Sequence, residues 1–123
     1  MLDIVHPFRF SGTRNYVFTM DINSLYTVIP NNDGFLALTH FLNKRTELQP
    51  PTHILVHLAE LVLTPNTFSL DGDCYQQTGG VAMGSSFGPN HACLFVGHIE
   101  EQIFQQYRGK TLDLYKRYID DIV

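Results

Sequence analysis

The chain ends in Tyr115-Lys116-Arg117-Tyr118-Ile119-Asp120-Asp121-Ile122-Val123. Tyr115, Tyr118, Ile119, Ile122 and Val123 are aromatic or β-branched, so the stretch predicts a strand. Two adjacent carboxylates sit in its middle. They repel each other and cost stability, which gives a purely structural strand little reason to carry them. Divalent cations supply a reason, because hard ions such as Mg²⁺ take carboxylate oxygens as ligands. Whatever fold the chain adopts has to place this acidic strand where further oxygen donors can join it.

Length and composition set the frame. At 123 residues with 44% hydrophobic content, the chain is at most one domain and long enough for a core. It has no internal repeat and no low-complexity tract. No apolar run reaches the roughly 18 residues of a membrane span, and the N-terminus does not read as a signal peptide. Cys74 and Cys93 lie outside any motif and fit a reducing, intracellular setting. The net charge is −4, whereas a self-sufficient nucleic-acid binder is usually basic. Only Lys44/Arg45, Arg108/Lys110 and Lys116/Arg117 approach basic clusters. Any grip on nucleic acid is therefore expected to come largely from outside this chain, or there is none.

Taken in order, residues 1–14 show no clean period, and Phe8 and Phe10 flank Arg9 as a short strand or arm. Tyr16 to Ile22 predicts a strand with Asp21 near its C-terminal end. By itself, Asp21 reads as a cap for the Asn23-Ser24 segment. Asn31, Asn32 and Asp33 offer N-caps to a helix reaching Lys44, with Phe35, Leu36, Leu38, Phe41 and Leu42 as its apolar stripe. After Pro50-Pro51, Thr52 caps a second helix to Leu63, with Ile54, Leu55, Leu58, Leu61 and Val62 facing inward. His53, His57 and Glu60 on that helix read as a solvated polar face, since no fourth ligand or metalloprotease pattern accompanies them.

A hairpin follows, Thr67 to Leu70 and Cys74 to Thr78, turning at Asp71-Gly72-Asp73. Residues 79–89 hold four glycines, a loop that something can approach closely, either a flexible connection or a cradle for a nucleotide or template. It matches neither a Walker A nor a dinucleotide pattern. Pro89 enters the first turn of a helix to Tyr107. Ala92, Leu94, Phe95, Ile99, Ile103 and Phe104 form its core stripe, and Glu100, Glu101, Gln102 and Gln105 stay wet. His91 and His98 read as surface or packing residues, and Gly109 ends the helix.

Strand, two helices, hairpin, glycine loop, helix and strand together predict an α+β layer, an antiparallel sheet with helices packed on one face. Pairing of the first and last strands would bring Asp21, Asp120 and Asp121 to one edge.

At this point the residues resemble a known family. Met20-Asp21-Ile22-Asn23-Ser24-Leu25-Tyr26-Thr27-Val28-Ile29-Pro30 is similar to the first palm motif of reverse transcriptases, most closely those of Penelope-like retroelements. Gln77-Thr78-Gly79-Gly80-Val81-Ala82-Met83-Gly84-Ser85, continuing to Gly88-Pro89-Asn90, resembles the second motif. Tyr118-Ile119-Asp120-Asp121 resembles the third, Y-x-DD. The three stand in family order, and the resemblance covers nearly the whole chain from Tyr16.

The resemblance implies a polymerase palm-type fold, incomplete at both ends, with residues 1–123 a partial reverse transcriptase domain. It implies Asp21, Asp120 and Asp121 as catalytic acids holding two Mg²⁺ ions, which Mn²⁺ could replace. Tyr26 matches the position under the incoming sugar that rejects a 2′-hydroxyl, and Gly84 one near the nascent base pair. Met83 stands where retroviral-type enzymes have glutamine, although the Penelope-like pattern also has Met-Gly, and Tyr118 opens the third motif. These four are the implied substrate-binding positions. The implied partners are an RNA template, a DNA primer and a dNTP, with no membrane. The implied setting is intracellular, nuclear for the complete element. Basic fingers are expected before residue 1, and the partner strand of the Y-x-DD hairpin and the thumb after Val123. Other readings of the same residues are a decayed or domesticated binding module, which tolerates Asp120→Asn, and a metal-dependent nuclease or phosphatase.

Overall fold

The computed structural model describes Arg9, residues 16–109 and residues 112–123. The expected arm around Phe8 and Phe10 lies outside the described residues. Among the described residues the architecture is α+β, with four helices and two small antiparallel sheets. The chain divides into two compact units, one from Met1–Asn23 with Tyr107–Val123 and the other from Ser24–Gln106.

The first unit carries a three-stranded sheet. Strand β1 (Met20–Asp21) pairs with β5 (Asp121–Ile122), which pairs with β4 (Arg117–Tyr118), in the order β1-β5-β4. The strands that carry Asp21 and Asp121 thus pair in one sheet. The single strand expected over residues 115–123 is instead a hairpin. Ile119 and Asp120 form its two-residue turn, and Lys116 and Val123 exchange both backbone hydrogen bonds at its open end. The hairpin partner expected beyond Val123 is therefore β4 itself. The expected strand over Tyr16 to Ile22 narrows to β1, because β5 offers it only two paired residues.

The second unit is a helical body with a hairpin. Its helices are α1 (Leu25–Val28), α2 (Asn31–Asn43), α3 (Thr52–Leu63) and α4 (Gly88–Gln106). α2 packs against both α3 and α4, and α1 against α4. The N-cap positions of α2 and α3 are Pro30 and Pro51, with no side-chain cap bond, so Asn31 and Thr52 are first helical residues rather than caps. Leu25, Ile29, Ala37, Leu38, Ala59, Leu63, Val81, Ala92 and Val96 form the core, joined by His91. Strands β2 (Thr67–Leu70) and β3 (Asp73–Gln76) make the expected hairpin. Asp71 and Gly72 both have positive φ at its turn, the backbone that a tight Asp-Gly hairpin turn needs.

Three helix faces differ from expectation. On α3 the buried residues are Ala59 and Leu63, while Ile54, Leu58, Leu61 and Val62 are exposed. Apart from the His53, His57 and Glu60 face, that helix is apolar, so its pattern alone does not choose the side that meets α2. On α2, Gly34, Ala37 and Leu38 are buried and Leu36 is exposed. On α4, Val96 is buried, whereas Ile99, Ile103 and Phe104 are exposed. Among the described residues no helix is long and apolar enough to cross a membrane.

Candidate metal centre

In the three-stranded sheet Asp21 stands opposite Asp121, and Asp121 opposite Tyr118. Directly opposed residues of an antiparallel sheet project from the same face. Asp21, Asp121 and Tyr118 therefore form one row across the sheet. Asp120 occupies the turn, and its carbonyl accepts the Ile22 N–H at 3.1 Å, which ties the turn to the strand that carries Asp21. One carboxylate oxygen from each of Asp21, Asp120 and Asp121 lies within 4.8 Å of the others.

This arrangement is costly without a cation. Like charges directly opposite in a sheet are destabilising, and Asp21 and Asp121 stand directly opposite with Asp120 beside them. The turn adds strain. Ile119 has φ 57°, a left-handed backbone that a β-branched side chain resists, and such positions cost on the order of 1–3 kcal/mol. The Arg117 guanidinium holds the turn by donating from Nη1 to the Ile119 carbonyl at 2.9 Å. Repulsion and strain are thus concentrated on strands two residues long.

Three carboxylates suit a hard divalent cation. Octahedral Mg²⁺ with bonds of about 2.0–2.1 Å places ligand oxygens roughly 3–4 Å apart, a spacing that oxygens within 4.8 Å of one another can reach by small side-chain rotations. Asp21 and Asp121 are exposed and Asp120 half-buried, so an ion can arrive with part of its water shell. The N-cap position of α1 is Ser24 rather than Asp21.

The remaining predicted positions belong to the helical unit. Gly80, at φ 75°, packs on the first motif's backbone: a Cβ there would come within 2.8 Å of the Tyr26 carbonyl and 2.9 Å of that of Thr27. Val81 N–H donates to the same Tyr26 carbonyl at 2.7 Å. The first half of the glycine loop thus clamps residues 26–27 rather than leaving a cradle. Tyr26 is half-buried, its ring edge 3.8 Å from where a Gly88 Cβ would stand. Met83 is 79% exposed. At Gly84, whose φ is 94°, a Cβ would have nothing within 4 Å. Sequence reasoning missed Arg117 as the brace of the turn. Its signal was a cation two residues before the residue that turns.

No family model, curated protein or solved structure matches the chain.

Proposed function

We propose that the chain is the palm core of an RNA-directed DNA polymerase of the Penelope-like reverse transcriptase type. The observation that carries this reading is the pairing of Asp21 with Asp121 beside the Asp120 turn. In this reading Asp21, Asp120 and Asp121 hold two Mg²⁺ ions, for which Mn²⁺ can substitute. When bound, such ions activate a primer 3′-hydroxyl and neutralise the charge of a triphosphate and its leaving group. The protein's own contribution is placement. The strained Ile119 turn presents Asp120 beside Asp121, Arg117 fixes that turn, and β1 brings Asp21 alongside.

Tyr26, Met83, Gly84 and Tyr118 are the proposed substrate-contacting residues, with Tyr26 rejecting a 2′-hydroxyl by steric clash. The clamp of Gly80 and Val81 on the Tyr26 carbonyl supports that role, because a steric gate works only if its backbone is fixed. Template RNA, primer DNA and dNTP are the proposed partners, within a palm-type sheet covered by helices.

The test is Mg²⁺-dependent primer extension on an RNA template by the protein expressed from the complete reading frame. Asp120→Asn is expected to lower the rate by at least about 10²-fold, the scale of removing one group that stabilises developing charge. Extension that survives Asp120→Asn unchanged refutes the assignment and favours a binding module.

A further inference from the structure

A second cluster of donor atoms lies in the helical unit, chemically unlike the acidic trio. His40 on α2 and His98 and Glu101 on α4 each place one ligand-capable atom within 4.8 Å of the other two. His98 and Glu101 are three residues apart and so share one helix face, and α2 packs against α4. His40 Nε2 meets Glu101 Oε2 at 2.8 Å. The His40 and His98 rings lie 4.5 Å apart between centroids. Lys44 Nζ donates to Glu101 Oε1 at 2.9 Å and Oε2 at 2.6 Å.

An ion pair between Lys44 and Glu101 explains only part of this. It needs neither imidazole. It also leaves His98 Nδ1 buried with no hydrogen-bond partner among the described residues, while His98 Nε2 faces the Gln102 side-chain nitrogen at 3.0 Å. A buried ring nitrogen without a partner is costly whichever tautomer is present. Two imidazoles and one carboxylate gathered from two helices are the donor set of a borderline divalent ion.

We propose that His40, His98 and Glu101 form a binding site for a Zn²⁺-class transition-metal ion that clasps α2 to α4, with the Lys44 ammonium standing in for the ion when it is absent. Tetrahedral Zn²⁺ with bonds of about 2.0–2.1 Å holds its ligand atoms about 3.3 Å apart. Binding therefore replaces the 2.8 Å contact between His40 and Glu101 with a slightly wider ligand spacing and displaces Lys44 from Glu101. Three protein ligands leave a fourth position for water. Mg²⁺, which prefers an all-oxygen shell, is not expected to compete, so this site is independent of the acidic trio and of the polymerase reading.

The test is titration of the chain with Co²⁺, whose visible absorption reports tetrahedral coordination, followed by displacement with Zn²⁺ or Mg²⁺. With excess Mg²⁺ present to fill the acidic trio, one tetrahedral Co²⁺ per chain is expected, released by Zn²⁺ and not by further Mg²⁺. His40→Gln with His98→Gln is expected to weaken binding by about 100-fold or more. Lys44→Ala is expected to tighten it several-fold, and His53→Gln with His57→Gln to leave it unchanged. Failure of the wild-type chain to bind, or binding indifferent to the His40/His98 pair of substitutions, overturns the proposal. Should that double variant not fold, ¹⁵N resonances of the histidine rings in the wild-type chain decide: Zn²⁺ must shift those of His40 and His98, and shifts confined to His53 and His57 overturn it.

Discussion

Gly80 and Gly84 lie four residues apart in one loop, and both have positive φ. A side chain at Gly84 would meet open space, whereas one at Gly80 would strike the Tyr26 and Thr27 carbonyls. Gly84→Ala should therefore lose only the backbone term, about 1–2 kcal/mol. Gly80→Ala adds a steric collision with backbone that cannot swing aside, and should lose about 3 kcal/mol or more. Urea unfolding of the two variants separates the cases, and equal losses would show that Gly80 does not clamp the first motif. The sequence pattern announced that some backbone would be approached closely at residues 79–89. It could not say that the approaching group at Gly80 is the chain itself, because Tyr26 and Gly80 are brought together only by the packing of α1 against α4. The same limit applied to Ile119: a β-branched residue reads as strand, and only the register of the hairpin reveals that it turns.

Helix α2 meets α4 through Gly34 and His91, and the fit there is tight. A Cβ at Gly34 would stand 2.5 Å from His91 Nε2 and 3.2 Å from Ile29 Cγ2. Alanine is the better helix former by about 0.8–1.0 kcal/mol, but overpacking a core typically costs about 1–3 kcal/mol. The collision should win, so Gly34→Ala is expected to destabilise; a gain in thermal midpoint would show that His91 can move aside. His91 itself is 1% exposed, ringed by Phe35 and Phe87, and burial pushes its pKa below the usual 6.5. The folded state therefore disfavours the imidazolium, while the unfolded chain binds its proton normally. The sign follows from this linkage. The neutral His91 contribution is complete above pH 6.5 and is lost as pH falls from there through the folded value. His91→Leu should remove that one-proton slope on the acid side while changing stability at about pH 7.5 by less than about 1.5 kcal/mol. Denaturant melts at several pH values read both, and an unchanged acid slope would place the titration elsewhere. The types and order of α2, α3, the β2–β3 hairpin and α4 were legible because helical and alternating periods are local, whereas the single turn of α1 and the division of residues 115–123 into β4 and β5 were not. Which face of α3 is buried was not, since Ile54, Leu58, Leu61 and Val62 form an apolar stripe as good as the one that packs.

At the scale of the whole molecule, the unit that carries the acidic trio is assembled from opposite ends of the sequence. Its strand pairs are two residues long, too short to order it firmly by backbone bonding alone. The site was legible in outline because two isolated acidic positions, Asp21 and the Asp120-Asp121 pair, each interrupt an otherwise strand-like segment and call for a common cause. Their register was not legible, because it depends on Asp120 lying in a turn. A cation held by all three carboxylates replaces repulsion with attraction and binds only the paired form. By mass action an ion at about 100 times its dissociation constant then stabilises that form by about 2.7 kcal/mol. Hydrogen exchange should report this locally: Mn²⁺ should slow exchange of the Ile22 amide, which donates to the Asp120 carbonyl, and of the Val123 amide, which donates to the Lys116 carbonyl. Amides in the middle of α4 should stay unchanged. Chelation should reverse the effect, and Asp120→Asn should remove it. If Mn²⁺ protects α4 as much as Ile22, the ion acts through global stability or at other residues, and the acidic trio is not the centre that joins the two ends of the chain.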